Sequence, residues 1–211
     1  MSGKRIYDIS RTISPTLAVW PGDTPFSVAH MLRIEQGAPV NLTTLTLSAH
    51  TGSHADAPYH VIDGGAHPAD LPLEKYLGLA HVVTIARRAG GIVPADVTAH
   101  NLTGLERLLI HSWVSDLPDH VWPDEYPYPT VDLVDWLADH GVVLLGLDSP
   151  SVDRYDSQDL AGHHQLRTRG MAHLESLYLA GVPDGIYELM ALPLKLAGAC
   201  GSPVRAALRE L

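Results

Sequence analysis

The densest chemistry in the chain lies in eleven consecutive residues, His50-Thr51-Gly52-Ser53-His54-Ala55-Asp56-Ala57-Pro58-Tyr59-His60. Two imidazoles and a carboxylate, His50, His54 and Asp56, form a donor set for a divalent cation of intermediate softness: zinc, with manganese or iron(II) as competitors. Gly52 permits the tight turn that brings them together, and the two oxygens of Asp56 can bridge a pair of ions. His60 follows four residues after Asp56. A histidine beside a metal but not bound to it can accept a proton and return it, because its ordinary pKa is about 6.5. A lone histidine is most often a surface residue. Three of them with an aspartate in so short a segment point instead to a site.

The whole chain narrows that chemistry. It carries 13 histidines against one phenylalanine, and a net charge of -10 with 14 scattered Lys and Arg, which argues against nucleic-acid binding and for a small-molecule partner. Cys200 is the single cysteine, so there is neither an internal disulfide nor a cysteine-rich zinc ribbon, and any metal must use His and carboxylates. Apolar runs such as Val142-Val143-Leu144-Leu145 are far shorter than the roughly 20 residues a bilayer requires. Met1-Ser2-Gly3-Lys4-Arg5 passes directly into Ile6-Tyr7-Asp8-Ile9-Ser10 without the pattern of a secretory signal, so a soluble, cytoplasmic protein is expected. No Gly-x-Ser-x-Gly elbow, dinucleotide fingerprint or Walker loop occurs, which removes the serine-hydrolase and nucleotide-dependent alternatives.

These residues need a scaffold. Residues 1–211 contain no repeat and no proline-rich linker, and one continuous domain is expected. Strands are expected at Ile6 to Ile13, Phe26 to Ile34, and Leu42 to Ser48 with its Leu/Thr alternation, whose end would present the His50 segment. Buried strands are expected at His81 to Ala86, Leu108 to His111, Val142 to Leu147 and Ile186 to Leu192. A helix begins at Pro129-Thr130, uses Val131, Leu133, Val134 and Leu137 at helical spacing, and ends before Gly141. A second is expected between Asp156 and Arg169, and a single turn at Glu74-Lys75-Tyr76-Leu77 before Gly78. The fold class is therefore α/β: a mixed, strand-rich sheet flanked by a few helices.

The eleven-residue string resembles the signature of the cyclase-type metal-dependent hydrolases, in particular the bacterial kynurenine formamidases (arylformamidases) among them. Similar segments follow the family's order: Val19-Trp20-Pro21-Gly22-Asp23-Thr24-Pro25, Gly146-Leu147-Asp148-Ser149-Pro150-Ser151, Gly170-Met171-Ala172-His173-Leu174-Glu175, Tyr187 to Lys195, and Ser202-Pro203-Val204-Arg205. Ser53 departs mildly, since threonine is frequent there. The resemblance implies a swivelling β/β/α-like fold and two divalent metals, Zn2+ with Mn2+ or Fe2+ as alternatives. Their ligands would be His50, His54, Asp56, His163 and Glu175, with Asp56 and Glu175 reaching both ions, and His60 would be the acid/base. His164 stands beside His163 and remains an alternative, and His173 would share a strand face with Glu175. Trp20 matches a substrate-pocket aromatic, although a core or interface position is equally open. The implied reaction is hydrolysis of N-formyl-L-kynurenine to kynurenine and formate by a homodimer or higher homo-oligomer.

Three other readings stay open. A related hydrolase opening a cyclic amide such as isatin would use the same metals. Two histidines and a carboxylate also make the facial triad of a mononuclear iron(II) oxygenase, which would show iron-dependent oxygen consumption. A non-catalytic metal-binding module would take up metal without hydrolysis.

Overall fold

The computed structural model describes residues 3–211. In chain order its strands are β1 (Ile6–Asp8), β2 (Ser27–Leu32), β3 (Leu42–Thr46), β4 (His54–Asp56), β5 (Leu77–Thr84), β6 (Gly90–Ile92), β7 (Arg107–His111), β8 (Pro127–Pro129), β9 (Leu144–Leu147), β10 (Ala172–Glu175), β11 (Gly185–Met190), β12 (Gly201–Pro203) and β13 (Ala207–Glu210). The helices are α1 (Pro94–Val97), α2 (Val131–Asp139) and α3 (Ala161–Thr168), with short 3-10 turns between elements.

Nine strands form one mixed sheet in the order β1-β13-β11-β5-β7-β9-β10-β4-β12. The inner strands β5, β7, β9 and β10 run parallel, and the flanking pairs are antiparallel. Alternation along each strand sends residues to two cores. On β7, Leu109 faces a core with Leu144, Leu174 and Leu189, whereas Leu108 and Ile110 face the core capped by Leu133, Val134 and Leu137 of α2 and Leu166 of α3. Gly146 on β9 lets Leu109 and Leu177 close over the strand: a Cβ there would lie 2.4 Å from Leu109 Cδ2 and 2.9 Å from Leu177 Cδ1. The α/β class with a strand-rich mixed sheet and few helices is thus the architecture found.

Helix α2 forms as its sequence predicts. Thr130 Oγ1 accepts from Leu133 N at 3.2 Å, a cap worth about 1 kcal/mol, and Gly141 follows the helix at φ 83°. The second expected helix is shorter. Asp156-Ser157-Gln158-Asp159 stays out of it because Ser157 Oγ donates to Asp159 and accepts from Leu160 N, local bonds that compete with helix. Only Ala161–Thr168 are helical. The first strand also ends early, at Asp8, with Ser10 bridged singly to Leu177.

The larger difference is at β2 and β3. They pair only with each other, as a two-stranded ribbon whose residues are all exposed, so the Leu/Thr alternation of Leu42 to Thr46 does not mark a half-buried strand here. The short β4, β12 and β13 lack enough periodic residues to stand out in sequence. Among the described residues no helix is long and apolar enough to cross a membrane.

Candidate metal centre

The centre is built on the β4/β10 pair. These strands are antiparallel with Glu175 opposite His54 and Leu174 opposite Ala55. Alternation puts His54, Asp56, His173 and Glu175 on one face, while Ala55 and Leu174 point into the core behind. The antiparallel neighbour β12 covers β4 on its other edge. His50 enters from the turn before β4, where Gly52 adopts φ 65°. Ser53 fastens that turn: its hydroxyl accepts from Arg11 N at 3.0 Å and donates to Ser176 O at 2.6 Å. His60 comes from the 3-10 turn Pro58–His60, and α3 lowers His163 onto the patch.

Asp56, fully buried, is the hub. His50 Nδ1 and His54 Nε2 lie 2.9 and 3.3 Å from its Oδ1, and His173 Nε2, His163 Nε2 and His60 Nε2 lie 3.2, 3.4 and 3.8 Å from its Oδ2. Glu175 repeats the pattern, with Oε2 3.3 Å from His54 Nε2 and Oε1 3.7 Å from His163 Nε2. Donor atoms of His50, His54 and Asp56 form one group close enough to hold a cation, and those of Asp56, His163, His173 and Glu175 form another, sharing Asp56. Both Asp56 oxygens, His54 Nε2 and His173 Nε2 are buried without an aligned hydrogen bond. Buried polar atoms left in that state are costly unless an ion completes them, so the residues present fit divalent metal binding.

The groups behind the imidazoles set their lone pairs. His54 Nδ1 donates to Gly52 O at 2.8 Å and His163 Nδ1 donates to Asp153 Oδ2 at 2.6 Å, which turns each Nε2 toward the carboxylates as a free donor atom. His50 Nε2 lies 3.1 Å from Cys200 Sγ, with Nδ1 toward Asp56. Without metal, protons do the neutralising. Burial opposes charge on His54, but Asp56 and Glu175 outweigh it and raise its pKa to about 10. His163 is likewise raised to about 10 against its burial, by Asp153 and Asp56. The surrounding imidazoles hold Asp56 well below the usual carboxylate range despite its burial. Burial, aided by the nearby charges of His50 and His163, lowers His60 to about 4 against the pull of Asp56.

A cavity of about 280 Å3 opens onto His50, His54, His60, His163 and Glu175. Trp20 lines it, 36% exposed, stacked on Tyr155 with ring centroids 5.1 Å apart and meeting Trp122 edge-on at 5.5 Å. That excludes the core position for Trp20. Leu160 and Ser176, both at the cavity, adopt left-handed backbone at φ 45° and 55°, strain concentrated where α3 begins and β10 ends.

The structure therefore brings His50, His54, Asp56, His60, His163 and Glu175 together, with Trp20 on the cavity wall. His164, one helical step of about 100° from His163, is exposed and turned away. Sequence reasoning missed Asp153, Arg167, Trp122, Tyr155 and Cys200. Asp153 lies ten residues before His163 with no periodicity to tie them, and its one signal is its place just after the Gly146-to-Ser151 segment.

Comparison with known proteins fits this geometry. Residues 7–154 match the family described as putative cyclase. A relative from Salinibacter ruber, named kynurenine formamidase, is 44% identical over 97% of each chain. The chain belongs to the cyclase family. Among solved structures, a predicted metal-dependent hydrolase from Bacillus stearothermophilus superposes with TM-score 0.83 at 24% identity, covering 100% of both chains. Isatin hydrolase A from Labrenzia aggregata superposes with TM-score 0.82 at 21% identity, covering 98% of this chain and 93% of that one. At those identities the two structures speak for the fold.

Proposed function

We propose that the chain hydrolyses N-formyl-L-kynurenine to L-kynurenine and formate at a two-metal centre held by His50, His54, Asp56, His163 and Glu175, with zinc the first choice of ion. The observation that carries this reading is the buried hub of Asp56, whose two oxygens face two separate sets of donor atoms and lack any aligned hydrogen bond. Divalent cations bound there supply Lewis-acid polarisation of the formyl carbonyl and lower the pKa of water toward neutrality.

The chain's own residues do the rest. Asp56 and Glu175 each present one oxygen to the His54 side and the other to the His163 side, the arrangement of shared ligands. His60 has a side chain 33% exposed, so it reaches the cavity from the rim of the cluster. Neutral at pH 7, it accepts the proton of the attacking water and returns it to the departing nitrogen as the C–N bond breaks. Trp20, Tyr155 and Trp122 form a wall suited to the aromatic ring of the leaving amine. The 44% identical kynurenine formamidase supports this substrate over a cyclic amide.

The β2/β3 ribbon supports a homodimer or higher assembly. Val28, Met31, Leu32, Leu42 and Leu45 are exposed on it, and a two-stranded hairpin is marginal alone in water. The free thiol of Cys200 suits the reducing cytoplasm. The test of the activity is metal analysis of purified protein with formylkynurenine and isatin turnover measured before and after chelation. Loss of formylkynurenine turnover on chelation and its return with zinc is expected. Turnover that survives complete metal removal overturns the reading.

A further inference from the structure

Besides its imidazoles the cavity is lined by one guanidinium, Arg11, and by the carboxylates of Asp23, Asp119, Asp148 and Glu175. Glu175 belongs to the metal cluster. Asp148 is buried and accepts from the N–H and hydroxyl groups of Ser112 and Ser115. Arg11 is committed as well: its Nη1 lies 3.0 Å from Asp119 Oδ1, and it donates to Leu117 O at 3.3 Å and to Val114 O at 2.9 Å. Among the described residues Asp23 has neither a cationic partner nor such a set of donors; its Oδ1 accepts from Thr24 N at 2.6 Å, and its Oδ2 has no partner. The carboxylate is half-buried and fixed at the turn that carries the cavity-lining ring of Trp20, since Asp23 N donates to Trp20 O at 2.9 Å. The surroundings add negative charge. Tyr155, stacked on Trp20, also lines a neighbouring cavity with Asp124, Glu125, Arg154 and Asp156, and there Arg154 pairs with Asp156. Neither cavity is lined by a guanidinium or ammonium that lacks a carboxylate partner.

The leaving half of formylkynurenine is a zwitterion, because the ketone chain ortho to the formamide ends in an α-ammonium and a carboxylate. With the aromatic ring against Trp20, that chain falls beside Asp23. We propose that Asp23 binds the side-chain ammonium while no cation of this wall binds the carboxylate, so that the chain also hydrolyses aromatic formamides whose side chain carries an alkylammonium and no carboxylate. This rests on the formamidase reading above. An ammonium donating to Asp23 makes a charge-assisted hydrogen bond, about twice as strong as a neutral one. A side chain with a carboxylate alone sets like charges together, which opposes binding. The bonds that change are the same for each substrate. The formyl C–N bond breaks, the hydroxyl of water goes to the formyl carbon and its proton to the aniline nitrogen, and the formic acid formed leaves as formate and a proton. Asp23 is thus a specificity residue: it sets which leaving amine is held and takes no part in the bond cleavage.

The test is steady-state kinetics of the zinc-loaded protein on formanilides that differ only in the ortho side chain: formylkynurenine, a β-alanyl analogue without the carboxylate, a succinyl analogue without the ammonium, and a neutral propanoyl analogue. Wild-type protein should hydrolyse formylkynurenine and the β-alanyl analogue with similar kcat/KM, about 10-fold or more above the succinyl analogue, the scale of one hydrogen bond to a charged group. Asp23→Asn keeps an acceptor for Thr24 N and removes the charge. Relative to the neutral analogue, it should raise KM for the two ammonium substrates about 10-fold, with the loss in KM and not in kcat. A loss shared equally by all the substrates, as disturbance of the Trp20 turn alone would give, overturns the inference. So does wild-type protein that hydrolyses the succinyl analogue as well as the β-alanyl one, a comparison that decides the matter even where the variant does not fold. In both cases turnover of formylkynurenine leaves the formamidase reading standing. Absence of turnover with every formanilide overturns that reading and the inference together.

Discussion

Loading the centre with metal should release at least two protons near neutral pH. In the metal-free chain His54 and His163 both have pKa values raised to about 10, by Asp56 and Glu175 for the first and by Asp153 and Asp56 for the second, each against its burial. At pH 7 both are protonated, and two imidazolium charges stand beside the Asp56 and Glu175 carboxylates in the positions metals would take. A cation can use Nε2 only after that proton leaves. Displacing a proton from a group of pKa about 10 at pH 7 weakens apparent affinity by about 1,000-fold per histidine, and each unit of pH gained restores about 10-fold. Zinc affinity measured against a chromophoric chelator should therefore tighten about 100-fold per metal between pH 7 and 9. Calorimetry in two buffers of different ionisation enthalpy should count the protons. The same shifts act on the metal-free fold in the opposite sense. Because both folded pKa values exceed the unfolded 6.5, protonation contributes stability that is complete below about 6.5 and is lost as the pH rises through about 10. Affinity independent of pH over this range, or loading without proton release, would refute the assignment of His54 and His163 as neutral ligands replacing imidazolium.

Asp56→Ala should lose both metals and all turnover, whereas His60→Ala should keep two metals per chain and lose roughly 100- to 10,000-fold in kcat; full activity in the latter removes the proton-transfer role. Trp20→Ala should raise KM for formylkynurenine by about 10-fold with metal content unchanged, the loss of one aromatic contact worth about 1 kcal/mol or slightly more; an unchanged KM places the ring elsewhere. Asp148→Ala should lower unfolding stability by about 2–5 kcal/mol in urea titration. Its carboxylate accepts from Ser112 N and Oγ and from Ser115 N and Oγ at 2.8–3.1 Å, and removal strands those buried donors beneath the cavity. Paired charges on the ribbon, Met31→Lys with Leu45→Lys, should shift the protein to monomers in light scattering.

The fold was legible wherever a segment's own pattern decided its structure. Helix α2 has cap, stripe and terminating glycine in one run, and the buried strands around Leu108 and Leu145 are continuous apolar runs. Sequence failed where partners decide. Leu42 to Thr46 has a strand-like mix of Leu and Thr yet pairs only with β2 and stays exposed, and β4 is only three residues long, held as a strand by β10 and β12 on its two edges. No local period reports such pairing.

The candidate site divides the same way. His50, His54, Asp56 and His60 are close in sequence, so their types and spacing exposed them, while His163 and Glu175 emerged by resemblance alone because no spacing rule links them to residue 56. One regularity does connect the two halves: His54-x-Asp56 and His173-x-Glu175 are both alternate-residue pairs, and an antiparallel pairing lays one against the other on a single face. That symmetry would make four equivalent ligands if residue type were decisive. The groups behind break it, since His54 leans on a carbonyl and His173 on a guanidinium. Ligand identity in such a cluster therefore has to be argued from the group behind the second ring nitrogen as much as from the first.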